Sequence, residues 1–249
     1  MLSLFLATSA FAAPTADEMV KMLATIDERT ENNGDWKSVF YMEQKEKDKS
    51  DLVYQGVVYR RDADDKLCIL FVKPQSEAGK GYLRVDDNLF MYDPTVGKWE
   101  RRTERERIGG TSSQRGDFDQ SNLAEEYTPT FTGEEKLGQF DVDHLKLNVK
   151  TGQDVAYPVI ELWLDKGTGN ILKRQEFADS GRLMRTAYYP TWSKMYSETK
   201  KTDVYFAKEI RIYDEVEKGN STTIVIQETD LHALDANIFT KAWLESKSR

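Results

Sequence analysis

The chain has 249 residues, 39% of them hydrophobic and 31% charged, with a formal net charge of -8. At about 100 to 200 residues per domain this length fits one large β domain or two small ones. The acidic balance repels nucleic acid and anionic bilayers, so neither is expected as the main partner.

Residues 1–12 carry Leu2, Leu4, Phe5 and Leu6 and end in Ala10-Phe11-Ala12. A short apolar run before an A-x-A site has the form of a secretory signal peptide, although no Lys or Arg follows Met1. The expectation is an export leader over 1–12 and one domain over 13–249. Residues 16–33 then place Met19, Met22, Leu23 and Ile26 at i, i+3, i+4 and i+7, which predicts an amphipathic helix ended by Asn32-Asn33-Gly34.

From Trp36 the period becomes two. Strands are predicted over 36–45, 52–61, 66–73, 81–86, 89–93 and 98–107, and in the second half over 130–137, 142–150, 159–165, 171–177, 183–189, 209–216 and 222–231. Turn residues separate them, among them Asp86-Asp87-Asn88, Asp93-Pro94 and Lys218-Gly219-Asn220. Short links imply antiparallel pairing, so the fold class is mainly β: one large curved sheet or barrel. The single cysteine, Cys68, lies in the run 67–72 and reads as core, so no internal disulfide supports the fold.

The strand pattern breaks at 109–127, a loop followed by a short helix over 121–127 capped by Asp119 or Ser121. Between loop and helix stands Arg115-Gly116-Asp117. An exposed R-G-D can be an adhesion ligand, but a tripeptide without context is only a hypothesis.

Signatures of chemistry are sparse. The two histidines, His144 and His232, stand in different strands without metal-ligand spacing. There is no P-loop and no G-x-S-x-G, and Leu172 stands where Gly167-Thr168-Gly169 would need a third glycine. No metal and no cofactor is therefore expected. Asp62-Ala63-Asp64-Asp65 and Asp141-Val142-Asp143 read as solvated turns, and an enzyme would need an acid pair assembled from distant positions. The charged strand at 98–107, with Arg101, Arg102, Arg105 and Arg107, reads as cross-strand pairing on a solvated face or as a contact for a partner's acids.

Three stretches, "GKGYLRVDDNLFMYDPTVGKWERR", "QRGDFDQSNL" and "NIFTKAWL", together resemble the LolA-like group of outer-membrane lipoprotein-sorting proteins. The shared order is a glycine and strand, an aromatic-x-Tyr-x-Pro stretch at Phe90, Tyr92 and Pro94, an Arg-rich strand, and a turn before a short helix. Arg115-Gly116 replaces the usual Gly-Ser of that turn. The resemblance implies a half-open antiparallel barrel around an apolar cavity, with helices covering the concave side, that shields acyl chains in the periplasm. It places R-G-D in the turn before the lid helix, with Phe118 pointing inward.

On that basis the expected cavity residues are Leu83, Val85, Phe90, Tyr92, Leu145, Leu147, Ile160 and Leu162, under a lid of Met19, Met22, Leu23, Ile26 and Phe118. The expected partners are lipid or lipoprotein acyl chains, with an inner-membrane transporter as donor and an outer-membrane acceptor. The other reading is an accessory protein that docks to an envelope transporter through the Arg-rich strand without carrying lipid. A shift of one residue in a strand exchanges its faces, so the cavity set depends on register.

Overall fold

A computed structural model describes residues 13–85, 88–103 and 105–247. The expected leader at 1–12 and the Asp86-Asp87 part of one turn lie outside the described residues.

The first helix, α1, runs Ala16–Thr30 and starts at a capping box. The Thr15 backbone N–H donates to Glu18 Oε2 at 2.7 Å, and the Glu18 N–H donates to Thr15 Oγ1 at 3.3 Å, satisfying two donors that have no partner inside the helix. Met19, Leu23 and Ile26 are the buried stripe predicted from the spacing. The helix stops three residues before the expected end, with extended backbone at Glu31 and a buried Asn32 whose N–H donates to Asp62 Oδ2 at 2.8 Å.

Among the described residues thirteen strands follow, each matching a predicted one: β1 (Asp35–Lys45), β2 (Leu52–Arg61), β3 (Lys66–Lys73), β4 (Gly81–Val85), β5 (Asn88–Asp93), β6 (Lys98–Arg102), β7 (Tyr127–Leu137), β8 (Phe140–Val149), β9 (Val159–Asp165), β10 (Ile171–Phe177), β11 (Leu183–Ser197), β12 (Thr202–Asp214) and β13 (Ser221–Asp230). They form one antiparallel sheet in the order β6-β5-β4-β3-β2-β1-β13-β12-β11-β10-β9-β8-β7. The ends of that order, β6 and β7, do not pair, so the sheet stays open.

The chain meanders from β1 out to β6, crosses the sheet through residues 105–126, and meanders back from β7 to β13. Pairing of β1 with β13 joins the two halves. β11 and β12 are longer than predicted: Pro190 interrupts the strand pattern of β11, and the continued strand carries β12 with it back to Thr202. Register shifts between Tyr188 and Trp192 absorb the proline, after which pairing continues to Ser197 and Thr202. The strand predicted over 98–107 ends at Arg102, where the chain leaves the sheet edge.

Alternation assigns the faces. On β1, Phe40 and Met42 point inward, opposite Gly56 and Tyr54 of β2. Gly56 is needed there because the Phe40 ring lies across it: a Cβ would sit 2.4 Å from Phe40 Cζ. The inner face continues through Ile69 and Phe71 on β3, Tyr82 on β4, Ile224 on β13, Ile212 on β12, Ala187 on β11, Ile160 and Leu162 on β9, and Leu145 and Leu147 on β8. On the outer face, Cys68 and Leu83 pack with Ile238 and Phe239 of the 3-10 turn Ala236–Phe239 and with Leu244 of α3 (Lys241–Ser246). That C-terminal cover was not among the predicted elements.

Candidate functional site

The inner face is covered in two ways. Over β7–β10 lies α1, with Met19, Leu23 and Ile26 packed against Leu145, Leu147, Ile160, Leu162 and Ile171. Over the middle lies the crossing segment, with Ile108 and Phe118 inserted beside Phe40, Phe71 and Ile210. The Phe118 and Phe40 rings are 4.9 Å apart.

Ion pairs in the inner layer pin the crossing segment. Arg185 Nη2 donates to Asp117 Oδ1 at 2.6 Å, and Arg185 Nε lies 2.9 Å from Glu176 Oε2. Arg84 Nη1 donates to Asp119 Oδ2 at 2.6 Å and Nη2 to Asp65 Oδ1 at 2.5 Å. Arg60 binds Asp62 through Nε at 2.9 Å and Nη2 at 2.8 Å. Asp62 is therefore buried, and Asp65 is a partner of Arg84, so that acidic run is only partly the solvated turn it was read as. Burial pushes the Asp65 carboxyl up, and Arg84 pulls it back.

The R-G-D tripeptide forms the 3-10 turn Arg115–Asp117. Its aspartate also accepts from the Gln114 N–H at 2.8 Å and the Ser113 hydroxyl at 3.1 Å. With its side chain 7% exposed, Asp117 is turned into the protein, so the tripeptide is not displayed for adhesion. The short helix that follows, α2 (Leu123–Glu126), is not capped by Asp119 or Ser121. Asp27 of α1 does this instead: its carboxylate accepts from the Leu123 N–H at 3.0 Å, the Ala124 N–H at 2.7 Å and the Ser121 hydroxyl at 2.5 Å. The two covering pieces are thus joined to each other.

An apolar cavity of about 140 Å³ lies where α1, the crossing segment and the sheet meet, lined by Ile26, Phe118, Ile171, Trp192, Phe206 and Ile210 among others. Across residues 116–121 lies a polar cavity of about 130 Å³, lined by Arg115, Glu126, Tyr127, Tyr157, Arg174 and Glu176. Burial pushes Glu126 up to about 7 there, against the pull of Arg174 and Arg115.

The structure divides the expected cavity set. Leu145, Leu147, Ile160 and Leu162 lie beneath α1 with Met19, Met22, Leu23 and Ile26. Leu83, Phe90, Tyr92 and Val85 lie on the opposite face: Leu83 and Tyr92 pack with the C-terminal cover, Phe90 lies beneath Lys241 at 4.3 Å, and Val85 is exposed. The inward residues of β4 and β5 are Tyr82, Arg84, Leu89 and Met91. The physical reason is that β3 is buried on both faces from Leu67 to Phe71, so its neighbour offers no polar face to fix the parity, and Arg84 reads as outward until its partner Asp119 is seen.

The arginines also divide. Arg102 turns toward Glu100 at 2.7 Å, Arg105 reaches the Ala156 carbonyl, and Arg107 pairs with Asp214 across the crossing segment. Arg101 on β6 and Arg105 beyond it are exposed, whereas Arg102 and Arg107 are partly buried. His144 stacks on Trp163 at 4.1 Å, between Glu135 at 3.0 Å and Glu161 at 3.1 Å. Among the described residues no helix is long and apolar enough to cross a membrane.

An open antiparallel sheet roofed by a helix over an apolar interior is a LolA-like fold. The chain is similar to the crystal structure of a domain assigned to outer membrane lipoprotein sorting from Vibrio parahaemolyticus, with a TM-score of 0.78 and 19% identity over 93% of this chain and 100% of that one. It is similar to a LolA superfamily protein from Nitrosomonas europaea, with a TM-score of 0.75 and 21% identity over 93% and 100%. It is also similar to a DUF1329 family protein from Desulfovibrio piger, with a TM-score of 0.78 and 19% identity over 92% and 98%. These likenesses carry the fold. Residues 63–246 match a family model described as "uncharacterized protein", and the chain belongs to that family. No curated protein matches it.

Proposed function

We propose that this chain is a periplasmic carrier that shields acyl chains of lipoproteins or lipids between α1 and the inner sheet face on the way to the outer membrane. In this reading residues 13–249 act as one domain after removal of the leader. An inner-membrane transporter is the donor and an outer-membrane protein the acceptor. The observation that carries the reading is the apolar cavity at the junction of α1, the crossing segment and the sheet. An acyl chain crosses water only while its methylenes are covered, at about 0.8 kcal/mol each. The fold likeness supports the same class of function by analogy.

At about 140 Å³ the cavity is below the roughly 300 Å³ at which small-molecule pockets begin. Loading therefore requires α1 or the crossing segment to move outward. The polar ties of α1 cluster in its last turns, where Arg29 donates to the Thr168 carbonyl at 2.8 Å and to Asn170 Oδ1 at 2.6 Å, and Lys200 binds the Glu28 and Glu31 carbonyls. Met19 and Leu23 hold the earlier turns by apolar contact, which an acyl chain can replace. Native mass spectrometry of the protein purified from a periplasm, and again after exposure to lipid, is expected to find bound lipid. A protein that stays lipid-free in both preparations overturns the carrier reading.

A second reading has an observation of its own. On the outer side an open groove of about 800 Å³ is lined by Leu137, Phe140, Leu172, Tyr188, Pro190 and Tyr213 among others. Three of those rings are exposed: Phe140, Tyr188 and Tyr213. Exposed aromatics gathered in a groove suit protein docking, which favours an accessory protein that docks to an envelope transporter without carrying lipid. Capture of a transporter by lipid-free protein would favour it.

A further inference from the structure

Arginines at four inward positions of the sheet differ in one respect. Arg60, Arg84 and Arg185 each donate a terminal nitrogen to a carboxylate: Arg60 to Asp62 at 2.8 Å, Arg84 to Asp119 at 2.6 Å and Arg185 to Asp117 at 2.6 Å. Arg174 does not. Its Nε lies 2.8 Å from Glu176 Oε1, and among the described residues its Nη1 and Nη2 have no acceptor in hydrogen-bonding position. Arg174 is deeply enclosed, yet 24% of its side-chain surface is open. That opening faces the interior, because Arg174 lines both the apolar and the polar cavity.

Beside it stands a second polar group of the same kind. The ring of Tyr189 lines the apolar cavity, 6.1 Å from the Trp192 ring, and among the described residues its hydroxyl has no hydrogen-bond partner. Burial pushes that hydroxyl up to about 12, while the charge of Arg174 acts on it in the opposite direction. A guanidinium offers its terminal N–H groups as a planar fork that matches the oxygens of a carbonyl or carboxylate, and a tyrosine hydroxyl beside it adds a third donor.

We propose that Arg174 Nη1 and Nη2 with the Tyr189 hydroxyl form a head-group site, taking the carbonyl or carboxylate oxygen at the head of an acyl chain whose tail lies among Ile26, Ile171, Trp192 and Ile210. The site deepens the carrier reading and rests on it. It makes the interior selective: an acyl chain is held at its polar end in fixed register, whereas an alkane of the same length finds only the apolar wall. Arg174 and Arg185 are balanced in charge by Glu176 and Asp117, so the incoming oxygen need not be ionised. A free acid and an ester are both admitted, and their relative affinity reports which oxygen the site prefers.

The test is displacement of the neutral fluorophore diphenylhexatriene from the full chain by laurate, methyl laurate and dodecane offered from the same micelles. Wild-type protein is expected to prefer laurate or its ester over dodecane by about tenfold, the order of a charge-assisted hydrogen bond. Arg174→Met should collapse that ratio toward one, and Tyr189→Phe should reduce it in part. A ratio near one in the wild type overturns the head-group site while leaving the carrier reading intact, and so does an Arg174→Met protein that keeps the full ratio. If Arg174→Met does not fold, the wild-type ranking decides alone. A wild-type protein that takes up none of the three overturns the carrier reading and the head-group site together.

Discussion

Arg185 on β11 donates to Asp117 of the crossing segment at 2.6 Å, with both side chains 7% exposed. The bond fixes the aspartate of the R-G-D tripeptide against the inner sheet face, and Glu176 completes the contact from the neighbouring strand. Removing one member of a buried pair leaves the other charge uncompensated, at about 3 to 5 kcal/mol. Asp117→Ala is therefore expected to lower the urea midpoint strongly without changing the dependence on denaturant. An Asp117→Ala protein as stable as the wild type would mean that the crossing segment is not held by this pair.

Leu23 is fully buried at the centre of the α1 stripe. A carboxylate at that position costs several kcal/mol or forces the helix to detach. The clusters around Phe40 and around Leu83 do not include α1, so a sheet without its roof keeps most of its core. Leu23→Asp is expected to keep the β circular dichroism signal while losing bound lipid. Loss of the sheet together with the ligand would assign α1 to the structural core instead, and full lipid retention in a folded protein would remove its role as a lid.

Asp27 ties α1 to α2 through three accepted hydrogen bonds. Loss of a helix cap costs about 0.5 to 2 kcal/mol. Asp27→Ala should therefore give a modest drop in stability, with faster amide exchange at Leu123 and Ala124. If α1 and the crossing segment open together, this variant should also load lipid faster than the wild type. Unchanged exchange at those two amides would show that the tie does not hold in solution.

Most strands were legible because an alternating pattern runs between turn residues, β3 because a continuous apolar run does so, and α1 because its apolar spacing is unbroken. What escaped was long-range. Asp27 as the cap of α2 joins residues nearly one hundred positions apart, and nothing local in the sequence marks it. Arg84, Arg174, Glu176 and Arg185 occupy inward positions, where alternation alone reads a charge as outward. Their burial follows from mutual pairing and from Asp117 and Asp119, which arrive from another part of the chain. A covered outer face produced the same difficulty in reverse: Leu83 is as buried as any inward residue, but beneath Leu244.

Glu126 supplies the pH prediction. Burial raises its carboxyl from 4.5 to about 7 in the folded chain, with Arg174 and Arg115 opposing the rise. Between those two values the folded chain keeps a proton that the unfolded chain has released, so this group makes stability fall as pH rises from about 4.5 to about 7. Above that window both states are ionised and its contribution to the slope vanishes. Glu126→Gln holds the position neutral at every pH, so its melting temperature should gain on the wild type as pH rises from 5 to 7 and keep a constant lead above that. Groups distant from Glu126 are common to both proteins and cancel in the difference. A difference that stays flat across the window would mean that the polar cavity solvates the Glu126 carboxylate as well as water does.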